Sequence, residues 1–279
     1  MSGEPDQYGV IGHPVSHSWS PFIHGLFARQ TGQSMSYRLY DAPPGRFRSC
    51  ALEFFAGGGL GLNVTVPHKA AAAELANELT PRAERAGAVN TLALQGDHRL
   101  LGDNTDGAGL VRDLRSNLGI ELIASRLLLL GAGGAARGVL APLLALEPAE
   151  IVIANRTAAR ARELAQRFAS LGPVTGCGFG DIPVRPFDLV INATASSLQG
   201  GTPDVPPRIL GRETVCYDMA YGRAETPFEL WAREHGCMRT HQGWGMLVEQ
   251  AAESFYLWRG MRPATAPVLA ALRSRAAHS

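Results

Sequence analysis

The 279-residue sequence carries little charge of either sign: 18% of its residues are charged and the formal net charge is +1. That balance gives no argument for a nucleic acid or a membrane surface as partner. Cysteine is scarce. Cys50, Cys177, Cys216 and Cys237 are scattered, with no CxxC pair and no Cys/His cluster, so a bound metal is not expected and free thiols in a reducing compartment are. The apolar run at Leu127–Leu130 is far too short to span a bilayer. The opening MSGEPDQYGVIG has no basic stretch followed by an apolar one, so no secretory leader is expected. No internal repeat or low-complexity tract is visible. These absences lead to the expectation of a soluble cytoplasmic protein.

What is present is apolar content of 46%, enough for packed cores, in a chain long enough for two domains of ordinary size. The most informative stretch is Leu127 to Arg137, LLLLGAGGAAR. Four leucines read as a buried strand and Ala135 to Leu146 as a helix, with glycines between them. Gly131-x-Gly133-x-x-Ala136 has the G-x-G-x-x-G/A form of a dinucleotide loop. Gly131 permits the tight turn, Gly133 lets a pyrophosphate approach the backbone, and Ala136 allows close helix–strand packing. The helix N-terminus then offers free N–H groups to phosphate. On its own such a stretch can also be an ordinary turn. Ile151–Ala154 reads as the next strand and closes a βαβ unit. At its end comes Asn155-Arg156-Thr157-x-x-Arg160, where an NAD site usually carries Asp or Glu for the ribose 2′-OH. Two guanidinium groups without a carboxylate suit a 2′-phosphate, favouring NADP, although the arginines also read as a solvated helix start.

Upstream, Tyr8–Ile11 is a short strand ending in a loop dense in hydroxyls, Ser16-His17-Ser18-Trp19-Ser20-Pro21. Pro21 suits the first turn of a helix over Phe22–Thr31. Ser18 or Ser20 could cap that helix or, with its neighbours, bind a polyhydroxylated ligand. Ser36–Tyr40 reads as a strand and Phe47–Phe55 as a helix. In GLGLNVTVP, residues 59–67, apolar positions alternate with Gly61, Asn63 and Thr65, so Asn63 and Thr65 are expected on one face of a strand that Pro67 stops. A helix from His68 to Leu79 places Lys69 in the first turn, where the dipole disfavours an ammonium. Lys69 is either a solvated surface lysine or an acid/base group tuned by its surroundings. Asn90 and Thr91 lie on a strand after Gly87. Gly102–Gly107 is rich in turn formers, and Asp106 reads equally as a cap for a helix over Gly109–Leu118.

Further on, Phe187–Thr194 reads as a strand ending in polar residues, with Ser196 and Ser197 at its carboxyl end. Thr214–Met219 is expected to be the last strand of the second domain, and a helix runs from Thr226 to His235. In the tail, Leu247, Ala251, Phe255 and Trp258 form one stripe of a helix, which is expected to pack back on the first domain and make it discontinuous. Gln250 on that helix is either solvated or a ligand contact.

Taken together these stretches resemble the shikimate dehydrogenase family from about Tyr8 to about Gly260. The resemblance rests on Gly9–Pro21, Asn63–Lys69, Ala86–Thr91, Gly102–Gly107, Gly131–Ala135, Asn155–Thr157, Tyr217–Met219 and Gly243-x-Gly-Met-Leu-Val-x-Gln250. It implies two α/β domains with a cleft between them. One is a substrate-binding catalytic domain with a mostly parallel sheet, residues 1–105 plus 243–279. The other is a Rossmann-like NADP-binding domain, residues 106–242. It also implies NADPH-dependent reduction of 3-dehydroshikimate to shikimate, on the way to chorismate and the aromatic amino acids. Lys69 and Asp106 are the implied catalytic pair. Ser18, Ser20, Thr65, Asn90 and Gln250, with Lys69 and Asp106, are the implied substrate contacts. Gly131, Ala132, Gly133, Gly134, Ala135, Asn155, Arg156, Thr157 and Arg160 are the implied cofactor contacts. Met219, Tyr221 and Gly243 would lie near the nicotinamide, Tyr221 counting among the substrate's contacts as well. The implied partner is a small molecule, with neither nucleic acid nor membrane, and the implied assembly a monomer or homodimer. Three departures stand out: Trp19 where Lys is frequent, His68 in place of the usual Phe, and Pro81 where Glu is often found. Within the same superfamily, a quinate/shikimate dehydrogenase using NAD and a non-catalytic NADPH-binding paralogue are the alternatives. Asn155-Arg156-Thr157 speaks against the first, and the presence of Lys69 and Asp106 against the second.

Overall fold

The computed structural model describes residues 4–197 and 200–278. Its chain forms two compact units: one contains the chain up to Gly109 with Leu247–Arg275, the other Leu110–Met246 with the chain from Ala276 onward. The junctions fall four residues later than the sequence-based boundaries at 105/106 and 242/243, because each lies inside a helix rather than at its start. Asp106 therefore belongs with the first unit.

The first unit is built from β1 (Asp6–Gly12), α1 (Ser20–Thr31), β2 (Met35–Asp41), α2 (Phe47–Ala56), β3 (Gly59–Val64), α3 (Lys69–Leu75), β4 (Glu78–Leu79), α4 (Pro81–Ala86), β5 (Thr91–Leu94) and β6 (Leu100–Asp103). Its sheet has the order β2-β1-β3-β5-β6-β4. β2, β1 and β3 run parallel, β5 is antiparallel to both its neighbours, and β4 pairs parallel with β6. The core gathers Ile11, Phe47, Phe54, Leu62, Val64, Leu75, Val89 and Leu92. Two sequence expectations change here. The helix opened by Lys69 stops at Leu75 instead of Leu79, because Asn77 leaves the helix to pair with β6. Its N–H donates to Leu100 O at 2.8 Å and its Oδ1 accepts from Leu100 N at 2.8 Å. The stretch through Gly102 is partly a strand, not all turn. A Cβ at Gly102 would come within 2.9 Å of Leu79, Val89 and Ala76, so the glycine is there for close packing.

α5 (Asp106–Arg112) leads into a π-helical turn, Asp113–Asn117. The second unit then continues with β7 (Arg126–Leu130), α6 (Gly134–Leu144), β8 (Glu150–Asn155), α7 (Ala158–Phe168), β9 (Val174–Gly178), β10 (Leu189–Asn192), β11 (Val215–Asp218), α8 (Pro227–Glu234) and β12 (Arg239–Gln242). All its strands are parallel, in the order β12-β11-β10-β7-β8-β9. Counted from β7, this is the 3-2-1-4-5-6 order of the dinucleotide-binding fold. The four leucines of β7 are all apolar because both faces of a parallel sheet are covered. Leu127 and Leu129 belong to one core with Ile151, Ile153 and Ile191, whereas Leu128 and Leu130 belong to another with Val152, Val190 and Phe228. Thr214–Met219 is not the last strand: β12, RTHQ, follows it as a polar edge strand without an apolar signature.

α9 (Trp244–Arg259) carries the tail stripe and α10 (Ala266–His278) follows it. In the first unit Phe255 packs edge-on against Phe27 at 5.7 Å, and Trp258 meets Tyr8 at 4.9 Å. The indole of Trp258 donates to Leu92 O at 3.0 Å. Among the described residues no helix is long and apolar enough to cross a membrane, and no group of three or more His, Cys, Asp or Glu is placed to hold a metal.

Candidate active site

In the first unit the polar groups converge on Asp106, the first residue of α5, which is 5% exposed. Lys69 Nζ donates to Asp106 Oδ2 at 2.5 Å, and Asn90 Nδ2 donates to Asp106 Oδ1 at 2.8 Å. Thus 37 residues of sequence separation close into one contact. Asp106 does not cap its helix by the route read from sequence, because both its oxygens face this cluster. Local structure fixes each partner. α3 begins at Lys69, and Lys69 O accepts from Val89 N at 2.8 Å, which holds the lysine beside the segment carrying Asn90. Asn90 Oδ1 accepts from Thr105 N at 2.8 Å and from Thr91 Oγ1 at 2.9 Å. Gln250, from α9, brings Oε1 to 3.4 Å from Asn90 Nδ2 and from Thr105 Oγ1, so it faces the cluster.

The hydroxyls before α1 connect to this cluster indirectly. Ser18 Oγ donates to Ser20 Oγ at 3.1 Å, and neither side chain caps α1, whose N-cap is Trp19. Tyr37 meets Ser20, and its phenol donates to Asn63 Oδ1 at 2.7 Å. Asn63 Nδ2 donates in turn to Ser254 Oγ at 2.9 Å and lies 3.2 Å from Thr91 Oγ1. A largely buried path of hydrogen bonds therefore runs from Ser20 through the partly exposed Tyr37, then Asn63, Thr91 and Asn90, to Asp106. Desolvation holds the Tyr37 phenol well above its ordinary pKa, against a smaller opposing pull from its bond to Ser20, so it stays a donor. Thr65 lies beyond the end of β3 and does not share a strand face with Asn63. Its methyl occupies the space a Cβ on Gly12 would need, 2.3 Å away, next to the serine loop.

The three departures also find partners. His68 is the buried N-cap of α3, with its ring stacked on Phe47 at 4.9 Å and Nε2 2.6 Å from Ala42 O. Trp19 lies edge-on to Phe22 at 6.2 Å. Pro81 takes the first turn of α4 behind the Thr80 cap, whose hydroxyl accepts from Ala83 N at 3.3 Å, a position where the missing N–H costs nothing.

In the second unit the candidate cofactor groups all follow carboxyl ends of parallel strands, the place where open α/β sheets bind ligands. Gly131 follows β7 with φ +105°, and a Cβ there would sit 3.0 Å from Ala193 O, so a side chain is excluded on both grounds. Gly133 is exposed with open space where its Cβ would be. α6 starts at Gly134 with no side-chain cap, leaving N–H groups of the first turn open next to Ala132 and Ala135. Asn155, at the end of β8, donates from Nδ2 to Thr157 O at 3.0 Å. Arg156, Thr157 and Arg160 are exposed. Neither arginine makes a side-chain hydrogen bond or ion pair among the described residues. Met219 follows β11 and Gly243 follows β12, and a Cβ on Gly243 would fall 2.4 Å from Met219 O. Tyr221 rests on Trp244 at 4.8 Å, and desolvation pushes its phenol up to about 12, so it too remains protonated. An uncapped glycine turn backed by unpaired cations fits a phosphorylated dinucleotide.

Three features were not drawn from the sequence. Thr105 and Ser254 complete the hydrogen-bond path, and no periodicity points to either. Arg137, one turn into α6, has a buried Nε without a partner; a cation against the helix dipole, the argument applied to Lys69, was the available signal. Finally, of the 26 lysine and arginine residues Lys69 alone is a lysine. A guanidinium does not release its proton in proteins, whereas an ammonium does. The one position that keeps an amine is the one bonded to Asp106.

Comparison with known proteins gives the family. A family model described as the shikimate dehydrogenase substrate binding domain matches residues 10–92, one for shikimate / quinate 5-dehydrogenase residues 114–200, and one for the shikimate 5′-dehydrogenase C-terminal domain residues 243–273. The chain is 55% identical over 271 residues to a shikimate dehydrogenase (NADP(+)) of Methylococcus capsulatus, covering 97% of each. Among solved structures, an Ael1 enzyme from Pseudomonas putida superposes with a TM-score of 0.88 at 44% identity, covering 96% of this chain and 98% of that one. Shikimate 5-dehydrogenase from Thermus thermophilus in complex with NADP(H) and shikimate gives a TM-score of 0.84 at 32% identity, covering 97% and 99%. The chain belongs to the shikimate dehydrogenase family.

Proposed function

We propose that the protein catalyses the reversible, NADPH-dependent reduction of 3-dehydroshikimate to shikimate, a step toward chorismate and the aromatic amino acids. One observation carries this reading. A buried carboxylate holds the only lysine of the chain at 2.5 Å within a cluster of amide and hydroxyl groups, the equipment needed to bind a polyol and move a proton. Bound NADPH supplies the hydride. Reduction places charge on the ketone oxygen, and a positioned donor must stabilise and protonate it. Lys69 and Asp106 do this as a pair: Nζ donates to that oxygen as an ammonium, or takes its proton as an amine in the oxidative direction. Asp106 aligns Nζ and accepts a substrate hydroxyl. Ser18, Ser20, Thr65, Asn90, Tyr221 and Gln250 hold the substrate's carboxylate and hydroxyls.

For the cofactor, Gly131 to Ala135 take the pyrophosphate on the N-terminus of α6. Asn155, Arg156, Thr157 and Arg160 take the 2′-phosphate, and Met219, Tyr221 and Gly243 line the nicotinamide. The exposed, unpaired guanidinium groups at Arg156 and Arg160 support NADP over NAD. The enzyme acts on a small molecule, needs neither nucleic acid nor membrane, and works as a monomer or homodimer. Its four free cysteines support a cytoplasmic setting.

The test is kcat/KM for shikimate and for quinate, each with NADP+ and with NAD+. Shikimate with NADP+ is expected to exceed every other pairing. A preference for quinate or for NAD+ contradicts the assignment, and absence of turnover with tight NADP+ binding contradicts the enzyme itself.

A further inference from the structure

Asp113 is a carboxylate 1% exposed, set at the start of the π-helical turn after α5 and well inside the second unit. It accepts from three directions. Tyr217 OH, on β11, donates to Oδ2 at 2.7 Å. Met246 N, in the first turn of α9, donates to Oδ2 at 3.1 Å, and Asn117 Nδ2 donates to Oδ1 at 2.9 Å. Gly245 is shaped to this carboxylate: a Cβ there would fall 1.7 Å from Oδ1. Close contact continues along the chain. Gly243 N donates to Ala220 O at 3.0 Å, and Met219 N donates to Asn192 O at 3.0 Å. A Cβ on Gly243 would strike Met219 O. One buried anion thus ties together the π-turn, the strand that ends just before Met219, and the segment that begins with Gly243.

We propose that Asp113 is a positioning residue for the nicotinamide half of the cofactor, holding Met219 and the Gly243–Met246 segment in register through Tyr217 OH and Met246 N. The inference rests on the NADP reading above. Asp113 touches neither cofactor nor substrate itself. Its two oxygens only accept, and donors approach both, so an asparagine in either flip sets its NH2 against a donor.

The test is equilibrium binding of NADPH and of adenosine 2′,5′-bisphosphate, the cofactor's adenosine half, to the full chain and to Asp113→Asn and Tyr217→Phe. Tyr217→Phe removes only one hydroxyl and carries the test if Asp113→Asn does not fold. The expected result is an NADPH Kd raised about tenfold in the variants, as for a lost hydrogen bond to a charged group, with bisphosphate affinity unchanged within about twofold. Equal weakening of both ligands overturns the inference, since it reports general loosening of the second unit. Unchanged NADPH affinity in a folded variant also overturns it. Failure of the unaltered protein to bind either ligand removes the cofactor reading, and the inference with it.

Discussion

The two candidate sites, one in each unit, are made in opposite ways. In the first unit, Lys69, Asn90, Thr105 and Asp106 are bonded to one another before any ligand arrives, and Asn90, Thr105 and Asp106 are each no more than 5% exposed. In the second unit the candidate cofactor groups are a glycine turn, an uncapped helix end and two exposed arginines with no side-chain partner among the described residues. The difference follows the chemistry. Proton transfer depends on angles and distances, which a low-dielectric network fixes in advance. Phosphate binding depends on charge and on backbone N–H groups free to be used, so internal partners would compete with the ligand. Substitutions should therefore affect turnover on one side and cofactor affinity on the other.

The largest effect is expected from Asp106→Ala. It leaves Nζ of Lys69 without its 2.5 Å partner, and kcat should fall by about 10²-fold or more in steady-state assays, with KM for NADPH unaffected. On the other side, Arg156→Ala with Arg160→Ala should raise KM for NADPH by about tenfold, the range for a lost charge-assisted contact, and leave kcat and KM for NADH near their original values. Equal losses with both cofactors would blur the division between the two sites. Asn90→Ala removes a side chain that makes four hydrogen bonds of 2.8–2.9 Å, to Thr91, Thr105 and Asp106. It should lower unfolding stability by about 2 kcal/mol in urea titrations, because buried donors and acceptors are left unmet. A further effect is visible only with pH. His24 is fully buried, stacked on Tyr37 at 4.2 Å, and desolvation lowers its pKa to about 3. The folded value lies below the unfolded one, so acidification favours the unfolded chain: stability is full above the unfolded pKa and falls as pH drops toward the folded value. The slope is at most about 1.4 kcal/mol per pH unit. Between neutral pH and pH of about 5, the unfolding free energy of His24→Phe from urea titrations should fall less than that of the unaltered protein, by about 2 kcal/mol.

The second unit was the more legible in sequence, because a parallel sheet covered on both faces leaves continuous apolar strands and the turn after β7 can only be glycine. The losses were at its edges. β12 is four polar residues, and β9 carries Gly176, which lets the chain pass where a Cβ would lie 2.2 Å from Ala161 O; neither advertises a strand. In the first unit the residue types of the site were readable and their meeting was not. Lys69 is in the first turn of one helix and Asp106 opens another, and only the β5–β6 hairpin and the Val89–Lys69 bond bring them together. Tyr37 and Ser254 join through tertiary contacts for which no local pattern exists. Asp113 likewise meets Tyr217 and Met246 only through tertiary contacts, which leave no local pattern.

The central claim is that the single lysine and its carboxylate carry the proton chemistry. It is tested most directly by single-turnover oxidation of NADPH by 3-dehydroshikimate in Lys69→Ala, alongside equilibrium binding of shikimate. The account predicts a rate at least about 10²-fold below that of the unaltered protein, with shikimate still bound. Oxidation of NADPH at the original rate would contradict it.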